Sequence, residues 1–432
     1  MFWRKIMAKK LEEIKEEECP YELPEGWKWE RLENISEIIS KGTTPKGGKS
    51  VYLENGVNFL RVENINDYGR IEKKDIKYIK NDVHLNELKR SILCEGDVLI
   101  TIAGTLGKVA IVSKEDLPIN TNQAVAFVRL INDIVDGKFL LYYIKCNETQ
   151  KRLLSRSKIT AIPNLTLEII RNLNVVLPPK ETQQKIVDII ESLFAKLDIA
   201  QEKVEQVLAE SENRRSAILH NAFSGKLTEK WREENNVSFD SWKECKFGDI
   251  CKFIGGGTPR KDNDEYWNGN INWASIKDIK GKYLNSTTDF ITEKGLNNSS
   301  ANLCSIGELI IGTRINPGKP IISNIETAIN QDLKIVKSKL NTEFLYYLFT
   351  VNNKKIESLS SGSTVLGIGL KILNNIEIDI PKEEEQKEIV RLLDKFLSVE
   401  DKVKSPCQST LEAIATMRKS ILAKAFRGEL VS

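Results

Sequence analysis

Residues 214–227 read RRSAILHNAFSGKL, and residues 417–430 read MRKSILAKAFRGEL. Arg215 and Arg418, Phe223 and Phe426, and Gly225 and Gly428 each lie 203 positions apart. The same shift carries Pro178 to Pro381, Gln183 to Gln386 and Val187 to Val390, so roughly fifty residues align without an insertion. Upstream the repeat continues with a drifting shift. GWKWERLENISEIISKGTTPK (26–46) matches SWKECKFGDICKFIGGGTPRK (241–261), and YLENGVNFLRVENI (52–65) matches YWNGNINWASIKDI (266–279). EGDVLITIAGTLGK (95–108) matches IGELIIGTRINPGK (306–319), TNQ (121–123) matches INQ (329–331), and KFLLYY (138–143) matches EFLYYL (343–348). Drifting length is what solvent-exposed loops tolerate, whereas a fixed length implies a rod.

The fixed segments carry a helical seam. In the first, Ile186, Ile190, Leu193, Leu197, Ala200, Val204 and Val207 alternate steps of four and three, continuing through Ser211 and Arg214 to Ile218. In the second, Ile389, Leu393, Phe396, Val403, Cys407, Ile414, Met417 and Ile421 keep the same frame, with Glu400 and Thr410 in the gaps. A helix with one apolar stripe needs a partner, and each copy supplies one for the other. ETQQ and EEEQ give acidic first turns, and FSGKL and FRGEL place glycine at the stop. Pro406 breaks the pattern: a proline inside a helix costs about 3 kcal/mol, so the second rod is expected to kink or restart there, with Ser405 as its cap.

The drifting segments are strand-rich. DVLITIA and ELIIGT are β-branched runs entered through Gly96 and Gly307, VNFLRV and INWASI are similar, and KFLLYYIK and EFLYYLFT open helices. The expected fold is α/β (α+β): two mixed domains separated by two long helices pairing as an antiparallel coiled coil, with a pseudo-two-fold internal repeat. The expected order is a helical arm at 1–20, a first domain at 21–178, a helix at 179–225, a linker at 226–241, a second domain at 242–381, a helix at 382–428 and a tail at 429–432. At about 1.5 Å per residue, a forty-residue rod spans roughly 60 Å, near two turns of B-DNA.

Composition excludes several classes. Across 432 residues, 64 Lys and Arg against 61 Asp and Glu give a net charge of only +3, so any nucleic-acid surface must come from local clustering. Seven scattered cysteines fit reduced thiols, two histidines preclude a His-rich metal site, and no apolar run reaches membrane-span length. The expected location is the cytoplasm.

Two motifs invite catalytic readings and fail them. Phe253-Ile254-Gly255-Gly256-Gly257 has the letters of an adenosylmethionine loop, but Thr258-Pro259 follows and no Asn-Pro-Pro occurs in the chain. GTLGKVA (104–110) and NPGKPI (316–321) lack the first glycine and the hydroxyl residue of a phosphate loop, so they read as turns.

PPKETQQKIV and IPKEEEQKEIV resemble the entry to the helices of type I restriction-modification specificity subunits. ILHNAFSGKLTEKWR and ILAKAFRGEL resemble their helix ends, and GTTPK and GTPRK the opening loops of their target-recognition domains. The resemblance covers nearly the whole chain. It implies two domains, each reading one half of a split double-stranded DNA sequence, and a chain with no catalytic site of its own. It further implies docking of two methyltransferase subunits, which bind S-adenosylmethionine, and of restriction subunits through that complex. Neither a cofactor nor a metal is expected on this chain. The recognition subunit of a fused type II restriction-methyltransferase system would share this architecture. A coiled-coil protein binding something other than DNA is the competing class.

If the two domains read different half-sites, base-reading residues should differ between copies, and shared ones should hold the frame or phosphate. Thr44 with Thr258, and Asn122-Gln123 with Asn330-Gln331, are shared and read as structural. Arg61, Glu63 and Asn64 differ from Ser275, Lys277 and Asp278, and SRSKITAIPN (155–164) differs from SSGSTVLGIG (360–369). The candidate DNA-binding residues are therefore Lys41, Thr43, Thr44, Lys46, Arg61, Glu63, Asn64, Lys108, Arg156 and Lys158 in the first copy. In the second they are Thr258, Arg260, Lys261, Ser275, Lys277, Asp278, Arg314, Lys319 and Ser363.

Overall fold

The structure, a computed structural model, describes residues 14, 18–155, 164–362 and 365–431. Most of the expected N-terminal arm, and the candidates Arg156, Lys158 and Ser363, lie outside the described residues. The chain forms two compact units, residues 1–204 with 409–432, and residues 205–408.

In the first unit an antiparallel sheet runs in the order Ser36–Lys41, Val125–Leu130, Val98–Thr101, Val109–Ile111. Val98–Thr101 is buried along its whole length. Its alternate side chains feed two cores, as the two-residue period of a strand dictates. Val98 and Ile100 pack toward helix α1 (Gly137–Lys145), with Phe139, Leu140 and Tyr143. Leu99 points the other way, into a cluster with Leu60, Ile65, Ala110, Ile119 and Phe127. That second cluster is closed by a smaller sheet of Lys77–Ile79, Val57–Leu60 and Ile119–Thr121, whose last two strands are parallel. A further pair, Lys28–Arg31 with Asn174–Leu177, leads the chain to Pro178 and helix α2 (Lys180–Phe223).

The second unit repeats this plan. Its larger sheet has the order Cys251–Gly255, Leu333–Ser338, Leu309–Gly312, Pro320–Ser323, Tyr283–Leu284. Leu309 and Ile311 face helix α3 (Thr342–Ser358), while Ile310 faces the opposite core with Ile321, Ile329 and Ile335. The smaller sheet again contains a parallel pair, Trp267–Ala274 with Thr327–Ile329. Lys243–Lys246 pairs with Glu377–Ile380 and leads to Pro381 and helix α4 (Glu383–Phe426). The sheets and helices expected from DVLITIA, ELIIGT, VNFLRV, INWASI, KFLLYYIK and EFLYYLFT are all present.

The long helices pair antiparallel within each unit. In the first, Ile186, Val187 and Ile190 of α2 share a core with Leu422, Ala425 and Phe426 of α4, and Arg418 bonds Asp198. In the second, Ile218 and Ala222 of α2 pack with Ile389, Leu393 and Leu397 of α4. There Ser211 and Arg214 hold Glu400, and Arg215 holds Asp401.

The opening repeat is explained by where the two helix ends go. Phe426, 1% exposed, sits edge-on against Phe139 at 5.3 Å and Tyr143 at 5.2 Å, both on α1. Phe223 meets Phe344 of α3 at 5.5 Å. Each helix end thus docks on the body built by the opposite copy, so both copies must present the same phenylalanine. The glycines that follow have φ of +77° at Gly225 and +82° at Gly428, the left-handed stop expected of them. Gln183 and Gln386 each donate to the carbonyl of the proline five residues earlier, at 2.9 Å. That bond fixes the entry to each helix.

Three apolar positions of the expected seam face outward. Val207 is 39% exposed, Phe396 38% and Met417 53%. Leu208, Leu397 and Arg418 turn inward in their place. Ile186, Ile190, Leu193, Leu197, Val204 and Ile218 hold, as do Ile389, Leu393, Val403, Ile414 and Ile421. The buried positions recur about every 3.6 residues, the period of a straight helix, and a strict 3.5-residue frame drifts off them by one position. Pro406 neither stops nor restarts α4, which runs unbroken from Glu383 to Phe426. Its ring lies on the exposed face, where solvent can take the Lys402 carbonyl that loses its intrahelical donor. Among the described residues, no helix is long and apolar enough to cross a membrane.

Candidate nucleic-acid interface

Both units build the same small frame at the end of their parallel strand pair. In the first, Asn122 N–H donates to the Leu60 carbonyl, and the loop after Ser36–Lys41 closes over it through Thr43 N–H to the Thr121 carbonyl at 3.0 Å. In the second, Asn330 N–H donates to the Ala274 carbonyl, and Gly257 N–H to the Ile329 carbonyl, each at 2.9 Å. Gly42 and Gly256 are required by this closure. A Cβ on Gly42 would collide with the Thr121 and Asn122 carbonyls, and one on Gly256 with those of Ile329 and Asn330. Beside each glycine, a threonine hydroxyl donates to a glutamine carbonyl, Thr44 to Gln123 and Thr258 to Gln331. Asn122 and Asn330 accept from the backbone two residues on, at 3.1 and 3.0 Å. The shared residues are thus tied to one another.

On this common frame the two units project different groups. Each parallel strand ends in one turn of tight helix, Val62–Asn64 or Ile276–Asp278. In the first unit Arg61 reaches Glu63 at 2.8 Å, and its Nε is buried without a hydrogen-bond partner. In the second, the equivalent positions carry Ser275 and Lys277, and Lys277 pairs with Asp289 at 2.7 Å, which raises the lysine's pKa. The charge at Glu63 and at Lys277 is opposite, while the backbone is the same.

A cleft of about 740 Å³ opens beside the second frame. Thr258, Lys261, Trp267, Trp273, Lys277, Asp289, Gln331 and Asp332 line it, with the two indoles edge to face at 5.1 Å. Exposed Arg260 is tied to Asp262, which raises the arginine and holds the aspartate below its usual pKa. Arg314 reaches Asp332 at 3.3 Å. Arg260, Lys277 and Arg314 are thus each paired with a carboxylate.

The remaining candidates divide by what they already bond. Asn64 is 1% exposed; it accepts from Arg61 N–H and donates to the Lys74 carbonyl. Asp278 accepts from Ser275 and Thr288. Both side chains are tied into their helical turns as the N3 members of capping boxes. Ser275 is buried, and its hydroxyl goes to Asp278. Lys108 is bound to Asp67 and to the Ile65 carbonyl at the turn after Val98–Thr101, and Lys319 follows the equivalent turn in the second unit. Lys41, Thr43, Lys46 and Lys261 are exposed around the two frames. Among the described residues, no cluster of histidine, cysteine and carboxylate could hold a metal.

The glycine run at 253–257 has a structural account. Cys251–Gly255 is an edge strand paired with Leu333–Ser338, and Gly256 and Gly257 allow close backbone and Ser300 contacts. The two Gly-Lys motifs sit in hairpin turns, with Gly107 N–H bonded to the Thr101 carbonyl and Gly318 N–H to the Gly312 carbonyl.

Sequence reasoning missed one polar cluster. Glu385, fully buried, accepts from Arg232 and Thr228 at 2.6 Å each and from the Trp242 indole at 3.0 Å. It pins the linker after α2 to the first turn of α4.

The type I restriction modification DNA specificity domain matches this chain twice, over residues 24–209 and 240–405. The EcoKI specificity subunit of Escherichia coli K12 is 23% identical over 95% of this chain and 90% of its own length. The Escherichia coli EcoBI specificity subunit is 33% identical over 216 residues, 49% of this chain, and that match spans less than half of it, 44%. A chain solved in work on complex assembly and conformational transition of a type I restriction-modification system superposes with a TM-score of 0.72. It has 21% identity and covers 95% of this chain and 100% of that one. The HsdS subunit of Thermoanaerobacter tengcongensis gives 0.51 at 20% identity, over 95% and 99%. With the domain matched in both halves, the chain belongs to the type I restriction-modification DNA specificity family.

Proposed function

We propose that this chain gives a type I restriction-modification enzyme its sequence specificity, each unit reading one half of a two-part DNA target. The observation that carries this reading is the duplicated frame with unlike side chains on it. Thr44–Gln123 and Thr258–Gln331 repeat, whereas Arg61 and Glu63 give way to Ser275 and Lys277. A surface evolved for one partner would repeat its contact residues along with its frame. A surface that reads two different base sequences keeps the frame and changes the readers.

In this reading the chain performs recognition only. Two methyltransferase subunits dock on it and bind S-adenosylmethionine, and restriction subunits join through that assembly. DNA binding requires Arg260, Lys277 and Arg314 to exchange Asp262, Asp289 and Asp332 for phosphate or base edges. Released carboxylates are then available to accept from a cytosine amino group.

The test is to produce the chain with its methyltransferase subunit in a host lacking adenine methylation and to map methylated adenines. A two-part sequence with an unread gap, lost when the chain is omitted, is expected. Methylation at a continuous sequence, or methylation indifferent to the chain, overturns the proposal.

A further inference from the structure

Ile315 is held in a backbone conformation that a β-branched residue rarely adopts. Its φ is +70°, and Asn316 N–H closes back on the Arg314 carbonyl at 2.8 Å, a γ-turn with its central residue in the left-handed region. Ile315 N–H donates to the Leu366 carbonyl at 2.9 Å, Arg314 bridges to Gly367, and Gly367 bridges in turn to Ser361, so the turn is braced from one side. The strained side chain gains only partial burial in return. Ile315 is 49% exposed, beside Val365 and Leu366 at 38% and 43%.

The internal repeat supplies a control. The position equivalent to Ile315 in the first unit is Gly104, at φ +76°, where an added Cβ would meet nothing within 4 Å. Glycine satisfies this turn without strain, and the first unit uses it. The second unit places a large apolar group there and leaves about half of it in solvent. Strain of this kind persists where function uses it. Its neighbour Arg314 pairs with Asp332, which lines the cleft beside Thr258 and Gln331, so the apolar tip is continuous with the candidate DNA surface.

We propose that Ile315, flanked by Val365 and Leu366, reads one thymine of the second half-site through its C5-methyl group. Among the four bases, only thymine presents a methyl in the major groove, and an apolar side chain is what recognises it. The glycine in the first unit makes no such contact, so the first half-site lacks this requirement. The inference rests on the DNA-reading function proposed above.

The test uses the chain assembled with its methyltransferase subunit and duplexes carrying the mapped target. Each thymine of the second half-site, on either strand, is replaced in turn by deoxyuridine, which lacks only the methyl. For the wild type, one replacement should weaken binding about three- to tenfold, the worth of one buried methyl. Ile315→Gly should bind the unmodified target more weakly by a similar factor and be indifferent to that same replacement. Its melting temperature should be unchanged or higher, because the turn is relieved. Ile315→Val should keep most of the discrimination. Wild-type indifference to every replacement, a second half-site without thymine, or an Ile315→Gly variant as sensitive as wild type overturns the inference. Each of these outcomes leaves two-part methylation intact; loss of two-part methylation in the wild type overturns the functional reading instead.

Discussion

Removing Arg232 should be among the most damaging single changes in the second unit. Its guanidinium is 2.6 Å from Glu385, a carboxylate with no solvent exposure, and Thr228 Oγ1 and Trp242 Nε1 complete the cluster. Arg232→Met keeps the aliphatic volume but leaves a buried charge with only two neutral donors. Breaking one partner of such a pair costs about 3–5 kcal/mol. Glu385→Gln should cost less, about 1–3 kcal/mol, because the amide oxygen can still accept from Thr228 and Arg232 at the Oε1 position, so that only the Trp242 N–H loses its acceptor. The double variant Arg232→Met with Glu385→Leu should recover most of the loss, since two apolar groups fill the site without stranding a charge. Urea unfolding followed by circular dichroism reads all three against the wild type. A coupling of about 2 kcal/mol or more is expected in the cycle. If the double variant loses the sum of Arg232→Met and of Glu385→Leu measured singly, the cluster is not a coupled unit.

Three further outcomes follow from the helices and from the absence of a catalytic assignment. Leu397→Ala should destabilise the second unit by about 2–5 kcal/mol, and Phe396→Ala by under about 1 kcal/mol, in the same denaturation measurement; equal losses would restore the 3.5-residue frame. Arg214 and Ser211 hold the Glu400 carboxyl below its ordinary value of 4.5, so Glu400 adds stability above that pH and loses it as pH falls through the lowered value. Glu400→Gln should therefore lower the melting temperature at pH 7, with the difference closing in acid; a difference that grows in acid contradicts the assignment. The purified chain alone should transfer no labelled methyl group from S-adenosylmethionine to DNA, and transfer by a preparation free of methyltransferase would refute a recognition-only role.

The sequence made some features legible because they depend on local chemistry. Glycine at 225 and 428 must stop a helix, and a proline followed five residues later by glutamine repeats because the side chain returns to that proline's carbonyl. The β-branched runs around Val98 and Leu309 read correctly as strands because both faces are buried. Other features depend on tertiary position. Arg232 lies in TEKWREENN, a stretch that looks solvated until Glu385 is brought beneath it. Asn64 and Asp278 lie in polar stretches, and three-residue helical turns tie their side chains in as the N3 members of capping boxes. The seam slipped at Val207, Phe396 and Met417 because period alone leaves a residue's choice of face open over several turns. Ile315 carries no sequence signal at all; only the backbone angle it shares with Gly104 singles it out.

Independent reading by the two units is tested most directly by exchange. Replacing residues 26–178 with the matching segment of a relative of different specificity, and mapping methylated adenines with the methyltransferase subunit present, isolates the first unit's contribution. The expected target keeps its second half unchanged and takes the relative's sequence in the first. A target altered in both halves would contradict the account.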